Sequence, residues 1–346
     1  MHKLLHLFWN PRERRPRLLL RLFPLYLAVV VLTIGVHFVN LTFGEVLGPP
    51  WQRHMPLFTA TGLAAVVPVA LACLVLDRRP FRELGLRLSP RWGLDLLFGI
   101  ALGATLISSI GVAELLLGLA TYAPRAEHAP MVPSLLTGLV VFMSVAVVEE
   151  LLFRGSLLIN LAETLESERI TRSIAVLAST LVTSAVFGLL HALNPNAGVV
   201  STLNIMLAGV LLAAGLVTTG ELAIPVGLHL SWNYFQNLFD MPVSGQSDFA
   251  YASVVSRTET GPDWLTGGAF GPEAGVTGLI AIVLGVGAIL LYSRLVEGQA
   301  GVHGSLLARD RARDAPDADP GRRPADPPAP KALAAVPPPP GTDPVL

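Results

Sequence analysis

The chain is poor in charge, in cysteine and in any excess of basic residues, and each shortage removes a class of function. Only 14% of its 346 residues are Asp, Glu, Lys or Arg, where a soluble domain carries about a quarter. With 52% hydrophobic residues and a mean hydropathy of +0.59, that deficit points to a membrane protein. A net charge of −1 and a pI near 6.7 provide no concentrated basic face for phosphates, so no nucleic-acid partner is expected. The single cysteine, Cys73, lies inside an apolar run. It allows no intrachain disulfide, no cysteine-based metal site and no redox pair, and reads as a small buried apolar residue.

What the chain does have is long apolar runs. Stretches of about 18–25 mainly apolar residues, the length that crosses ~30 Å of hydrocarbon, fit eight times. They lie near 22–40, 57–76, 94–119, 134–153, 173–192, 199–217, 222–239 and 275–295. The expected fold is therefore all-α, a polytopic transmembrane helix bundle of about eight spans. The first run exceeds a signal-peptide core and no small-residue cleavage site follows it, so it reads as an uncleaved span. From 297 to 346 the composition turns to Pro, Ala, Asp and Arg, too poor in apolar surface to fold, and a disordered C-terminal tail is expected.

Arginine placement orients the bundle, because basic residues are retained in cytoplasmic loops. They concentrate in the N-terminal segment 1–21, in the second link with Arg78, Arg79, Arg82, Arg87 and Arg91, and again at Arg154, Arg169 and Arg172. Segments 41–56 and 120–133 carry few, and 241–274 is mostly acidic. Both termini are thus expected in the cytoplasm and 241–274 outside it. Segment 77–92, with apolar residues between arginines, is expected along the membrane surface.

Ionisable residues at membrane depth cost roughly 2.5–3.5 kcal/mol on insertion scales and call for an explanation. Three clusters stand out. The fourth run ends in Glu149-Glu150-Leu-Leu-Phe-Arg154, the fifth in Phe187-Gly-Leu-Leu-His191, and the seventh holds His229-Leu-Ser-Trp-Asn233. Glu150 and Arg154, four apart, can pair on one helix side in the favoured order. Glu149 points about 100° away from Glu150. His229 and Asn233 share a face. A carboxylate and two imidazoles from separate helices can activate water by general-base action or through a bound metal, and a nearby amide can stabilise an oxyanion. Hydrolysis is the reaction class this suggests. Singly, the clusters also read as an interfacial ion pair, a helix cap and an interhelical hydrogen bond. His37, Asn204 and Glu114 read as packing or interfacial groups, and Gly99 and Gly103 as marks of close helix packing.

The order Glu-Glu-x-x-x-Arg, Phe-x-x-x-His and His-x-x-x-Asn on separate helices resembles the motif set of the CPBP (CAAX prenyl protease-like) family, which includes the type II CAAX prenyl endopeptidases. The match covers about 135–240, placing a catalytic core at 131–240 between N-terminal helices at 22–130 and a last helix at 275–296. The resemblance implies an intramembrane endopeptidase of bacterial type in the inner membrane, its partners the bilayer and a peptide or protein substrate. It implies Glu149 as the group that activates water, His191 as a holder of that water or a metal, and His229 with Asn233 in oxyanion stabilisation or metal ligation. Glu150 and Arg154 then organise the site. A metal, zinc or another divalent ion held by Glu149, His191 and His229, stays open beside a metal-independent glutamate mechanism, since the single-helix His-Glu-x-x-His pattern is absent. The competing functions are a non-catalytic membrane scaffold of immunity type, and a secondary transporter, which would gain from inverted repeats that are not seen.

Depth along the helices sets a condition. Glu149, close to Arg154, and His229 both fall toward the cytoplasmic side, whereas His191 lies some 28 Å along its helix from Arg172. Either the fifth span begins in a cytoplasmic extension over 160–178, or it ends at Asn194-Pro195 inside the protein.

Overall fold

The structure, a computed structural model, describes residues 9–10, 15–125 and 129–307. Eight long helices run through it: α1 Leu18–Phe43, α2 Pro50–Val75, α3 Pro90–Leu116, α4 Met131–Leu165, α5 Arg172–His191, α6 Val199–Thr219, α7 Ala223–Leu238 and α8 Val276–Val296. Seven of the described helices are long and apolar enough to cross a membrane. The exception, α7, has 16 residues, about 24 Å of rise, and is almost wholly buried. It corresponds to the expected seventh span. The chain is a multi-pass, helical integral membrane protein. Leu19, Phe23, Val31, Ile34 and Phe38 of α1 stay exposed, as side chains facing lipid do.

Local sequence sets the helix ends. Ser89 accepts a hydrogen bond from the Trp92 amide at 3.1 Å with Pro90 in the first helical position of α3. Thr171 caps α5 in the same way through Ile174. Gly220, with φ +73°, closes α6 in the left-handed conformation that an L side chain resists. Because consecutive long helices reverse direction, the ends form two groups. One holds Leu18, Val75, Pro90, Leu165, Arg172, Thr219, Ala223 and Val296, and the other holds the opposite ends. We call them the arginine end and the loop end. Cross-contacts support the division: Arg87 pairs with Glu221 and Arg91 with Glu297 at the arginine end. At the loop end Arg257 pairs with Glu114 of α3 at 2.8 Å.

Glycines let α3 and α7 come together. A Cβ at Gly99 or Gly103 would collide with the α7 backbone at Ile224 or Leu228, and one at Gly227 with the α3 backbone at Leu96. This is the close helix packing expected of Gly99 and Gly103. The loop end also carries a short sheet: β3 (Ala120–Pro124) pairs antiparallel with β4 (Val255–Glu259), joining the α3–α4 link to the segment before α8. A further two-residue pair, β1 (Trp9–Asn10) with β2 (Arg15–Pro16), precedes α1.

The structure revises two expectations and adds detail to a third. The fourth span does not stop near 153, because α4 continues through a π-helical stretch, Leu151–Leu158, to Leu165. Segment 77–92, expected along the membrane surface, carries one short 3-10 turn, Phe81–Leu84; Leu84 and Arg79 are buried, and Leu222 donates to the Gly85 carbonyl at 2.8 Å, tying the link to the start of α7. The tail does not begin to fray at 297. Gly304–Leu307 is helical, Leu306 is buried, and Arg172 donates to its carbonyl at 2.9 Å. The remainder of the expected disordered tail, from 308, lies outside the described residues.

Candidate active site

The extension of α4 removes the depth conflict. Glu149 lies in mid-helix, about 24 Å from Leu165. His191 lies about 28 Å from Arg172, which begins the antiparallel neighbour. Leu222, at the start of α7, packs beside Gly155 of α4. From that shared level Glu149 and His229 each rise about 9–10 Å. The three residues therefore meet at one depth, and neither adjustment expected of the fifth span is needed. Arg154, expected at a cytoplasmic helix end, is instead one of the largest fully buried side chains.

That arginine is tolerated because its donors are met. Its Nη1 donates to Glu150 Oε1 at 2.9 Å, its Nη2 donates to the Gly209 carbonyl of α6 at 3.1 Å, and its guanidinium lies 4.5 Å from the centre of the Phe187 ring. Gly209 permits the approach, as a Cβ there would collide with Ser184 of α5. The π-helical stretch that follows Glu150 is a form of helix concentrated at functional sites.

Glu150, with its side chain 0% exposed, also receives a second donor: His229 Nδ1 donates to Oε1 at 2.9 Å. A carboxylate on one ring nitrogen fixes the tautomer and leaves the other nitrogen as an acceptor. That other nitrogen, His229 Nε2, faces Glu149 Oε2 at 3.8 Å. Glu149 Oε2 has no hydrogen-bond partner among the described residues, and neither does Glu150 Oε2. Two acceptors aimed at each other across a gap too long for a hydrogen bond form a position that a donor such as water can bridge.

Glu149, His191, His229 and Asn233 all line one cavity of about 390 Å³. His191 is held by its own helix: Nδ1 donates to the Phe187 carbonyl at 2.8 Å, which leaves Nε2 as the acceptor. Its ring leans on Phe187 with centroids 4.5 Å apart, and Phe187 in turn meets His229 edge-on at 6.4 Å. Phe187 thus stands among both imidazoles and the Arg154 guanidinium. Asn233 follows one turn after His229 on α7 and is buried against the cavity.

Among the described residues no three His, Cys, Asp or Glu side chains are gathered to hold a metal ion. His229 Nδ1 is already engaged by Glu150, and the Phe187 ring contacts both the His191 and the His229 rings. Glu149, His191 and His229, as they stand among the described residues, are not gathered as a metal-ligand set.

Sequence reasoning missed Glu273. It is buried in a turn before α8, lines the same cavity, and accepts from Trp232 Nε1 at 3.3 Å and Gln236 Nε2 at 2.9 Å. Burial pushes its carboxyl up to about 7, against the opposing pull of these hydrogen bonds. Its only trace in the sequence is a lone carboxylate in Gly-Pro-Glu-Ala-Gly at the edge of an apolar run. His37, expected as a packing group, also lines the cavity, while Asn204 donates to the Gly275 carbonyl at 3.3 Å as a packing group does.

Fold and site together define a multi-pass membrane protein with a carboxylate–histidine cluster facing an internal cavity. Residues 131–235 match the family model for type II CAAX prenyl endopeptidase Rce1-like proteins. This segment contains all three polar clusters, and through it the chain is similar to the Rce1-like family of CAAX-type intramembrane proteases. No curated protein and no solved structure matches the chain.

Proposed function

We propose that this protein is an intramembrane endopeptidase in which Glu149 and His229 hold and activate the attacking water. The observation that carries the reading is the facing pair, Glu149 Oε2 and His229 Nε2, 3.8 Å apart at the cavity wall with the other nitrogen of His229 tied to Glu150. Water between them donates one proton to each acceptor, which directs its oxygen lone pair into the cavity. As that oxygen bonds to the scissile carbonyl carbon, its proton passes to Glu149. The carbonyl oxygen becomes an oxyanion, and the Asn233 amide is the donor nearest in role to an oxyanion-hole group. Glu149 then returns the proton to the departing amide nitrogen as the carbon–nitrogen bond breaks, the usual two-way use of one carboxyl. His191 Nε2, left free as an acceptor by the Nδ1 bond to Phe187, accepts from the substrate. Glu150 and Arg154 do not touch substrate; they position His229.

The test is cleavage of a hydrophobic peptide library by purified full-length protein in lipid vesicles, read by mass spectrometry. Products from the wild type should vanish in Glu149→Gln and His229→Ala, with thermal unfolding in detergent unchanged. Activity should survive a divalent-metal chelator, because the proposed route uses only side chains. Full activity in either variant sinks the assignment, and loss on chelation that added zinc restores returns the metal alternative. Tight peptide binding without products favours the scaffold.

A further inference from the structure

The side of the membrane on which such a site works decides what it can cut, and two independent features of this chain bear on it. The first is the distribution of charge. Arg15, Arg17 and Arg21 flank the start of α1, Arg78, Arg79, Arg82 and Arg87 fill the α2–α3 link, and Arg169 and Arg172 lie between α4 and α5. All belong to the arginine end. The loop end has Arg53, Arg125 and Arg257 among its described residues, facing Glu45, Glu114, Asp240, Asp248, Glu259, Asp263 and Glu273. An excess of arginine in short links marks the cytoplasmic side.

The second feature is where the cavity lies. Its walls run from mid-helix, where Glu149, Leu212 and His229 line it, to the loop end, with His37 and Asn40 from α1, His54 and Phe58 from α2, and His191 at the last residue of α5. Its rim is the segment after α7, where Val243, Gln246, Asp248 and Phe249 line it. His54 Nδ1 lies 3.1 Å from the Tyr251 hydroxyl and steadies that segment. Toward the arginine end the space beneath the site is closed. Arg154, Leu158, Ile159, Leu216, Leu222 and Ile224 are fully buried there. A side chain or water reaching Glu149 from the arginine end would have to displace this packing, whereas Ser247 and Asp248 at the rim are exposed.

We propose that the cavity opens toward the extracytoplasmic face, and that its substrate is an apolar peptide segment presented from that side rather than a cytoplasmic chain terminus. The substrate part rests on the endopeptidase reading above, and the orientation part does not. Phe58, Phe142, Val243 and Phe249 suit apolar side chains of such a segment. The sequence alone set the chemistry nearer the cytoplasm because Arg154 looked like a helix boundary; with α4 running on to Leu165, Glu149 falls in mid-helix and the cavity above it opens toward the end opposite the arginines.

The test uses the full chain with one added cysteine. The native Cys73 is buried, so the wild type serves as the blank. Ser247→Cys reports the cavity rim and Glu168→Cys the link at the arginine end; both parent residues are exposed. A membrane-impermeant maleimide applied to right-side-out membranes should label Ser247→Cys and leave Glu168→Cys unmodified until the membrane is permeabilised. Any other pattern overturns the orientation. In a second arm, new peptide termini are mapped in cells expressing the wild type or Glu149→Gln. Termini that depend on Glu149 and fall on extracytoplasmic segments support the proposal, and termini on cytoplasmic segments overturn it. Rim labelling with no Glu149-dependent termini leaves the orientation standing and overturns the endopeptidase reading together with the substrate class.

Discussion

Two buried charge clusters share the same helices, one at the arginine end and one at mid-helix beside the cavity, and they differ in how their carboxylates are used. At the arginine end, Arg21 donates to Asp77 Oδ1 and to Asn160 Oδ1, each at 2.7 Å, and Asn160 donates to Asp77 Oδ2 at 3.0 Å. Arg79 and Arg15 both donate to Glu163 Oε2. The acids there are enclosed by donors, and the cluster ties the chain before α1, the α2–α3 link and the end of α4 into one unit. In the cavity the balance is reversed. Glu149 and Glu150 each keep an oxygen with no partner among the described residues, and Glu149 is 26% exposed by side chain. Burial of charge is common to both, so it does not by itself mark chemistry. An acceptor left unused beside open volume does.

The sharpest break of that comparison exchanges an arginine in each cluster. Arg154→Met leaves Glu150 buried with His229 as its remaining partner, and removing one partner of a buried pair costs about 3–5 kcal/mol. It should also abolish turnover in whatever fraction stays folded, since Glu150 then no longer fixes His229. Arg21→Met should cost a similar amount in stability while the folded fraction keeps its specific activity. Thermal unfolding in detergent together with cleavage per folded molecule separates the two effects. Equal specific-activity losses in both variants would erase the distinction between the clusters.

A smaller effect is expected at Asn233. Removing one oxyanion donor lowers kcat by about 10²–10³-fold, so Asn233→Ala should show that loss with KM little changed. Asn233→Asp, which keeps the size and removes the donor, should behave alike. A variant with altered KM and normal kcat would place Asn233 in substrate binding instead.

The helices were legible because hydropathy and length dictate spans, and the three polar clusters were legible because ionisable residues are rare in apolar runs. What sequence could not show was long-range neutralisation. Arg154 reads as the end of a span until Glu150 and the Gly209 carbonyl, 55 positions away, are seen to satisfy it. The depth of Glu149, and with it the face on which the cavity opens, followed from that one boundary. Phe187 was visible only as a motif letter, although its ring meets Arg154, His191 and His229. Likewise nothing local separates Glu273 from the other acids of the loop end, because its burial depends on Trp232 and Gln236 in another element.

Glu273 provides the mildest test, through pH. Its carboxyl is raised from 4.5 to about 7, with burial the main cause. Between those values the folded protein holds a proton that the unfolded chain releases, so stability falls as pH rises through this window. At about 1.4 kcal/mol per unit, the contribution of this one group is at most roughly 3 kcal/mol. Glu273→Gln cannot ionise and retains an oxygen to accept from Trp232 Nε1. Its unfolding temperature in detergent should therefore decline less than that of the wild type between pH 5 and pH 8, and the two curves should differ most at the alkaline end. Parallel curves would mean that Glu273 stays charged throughout and belongs with the fully partnered acids of the arginine end.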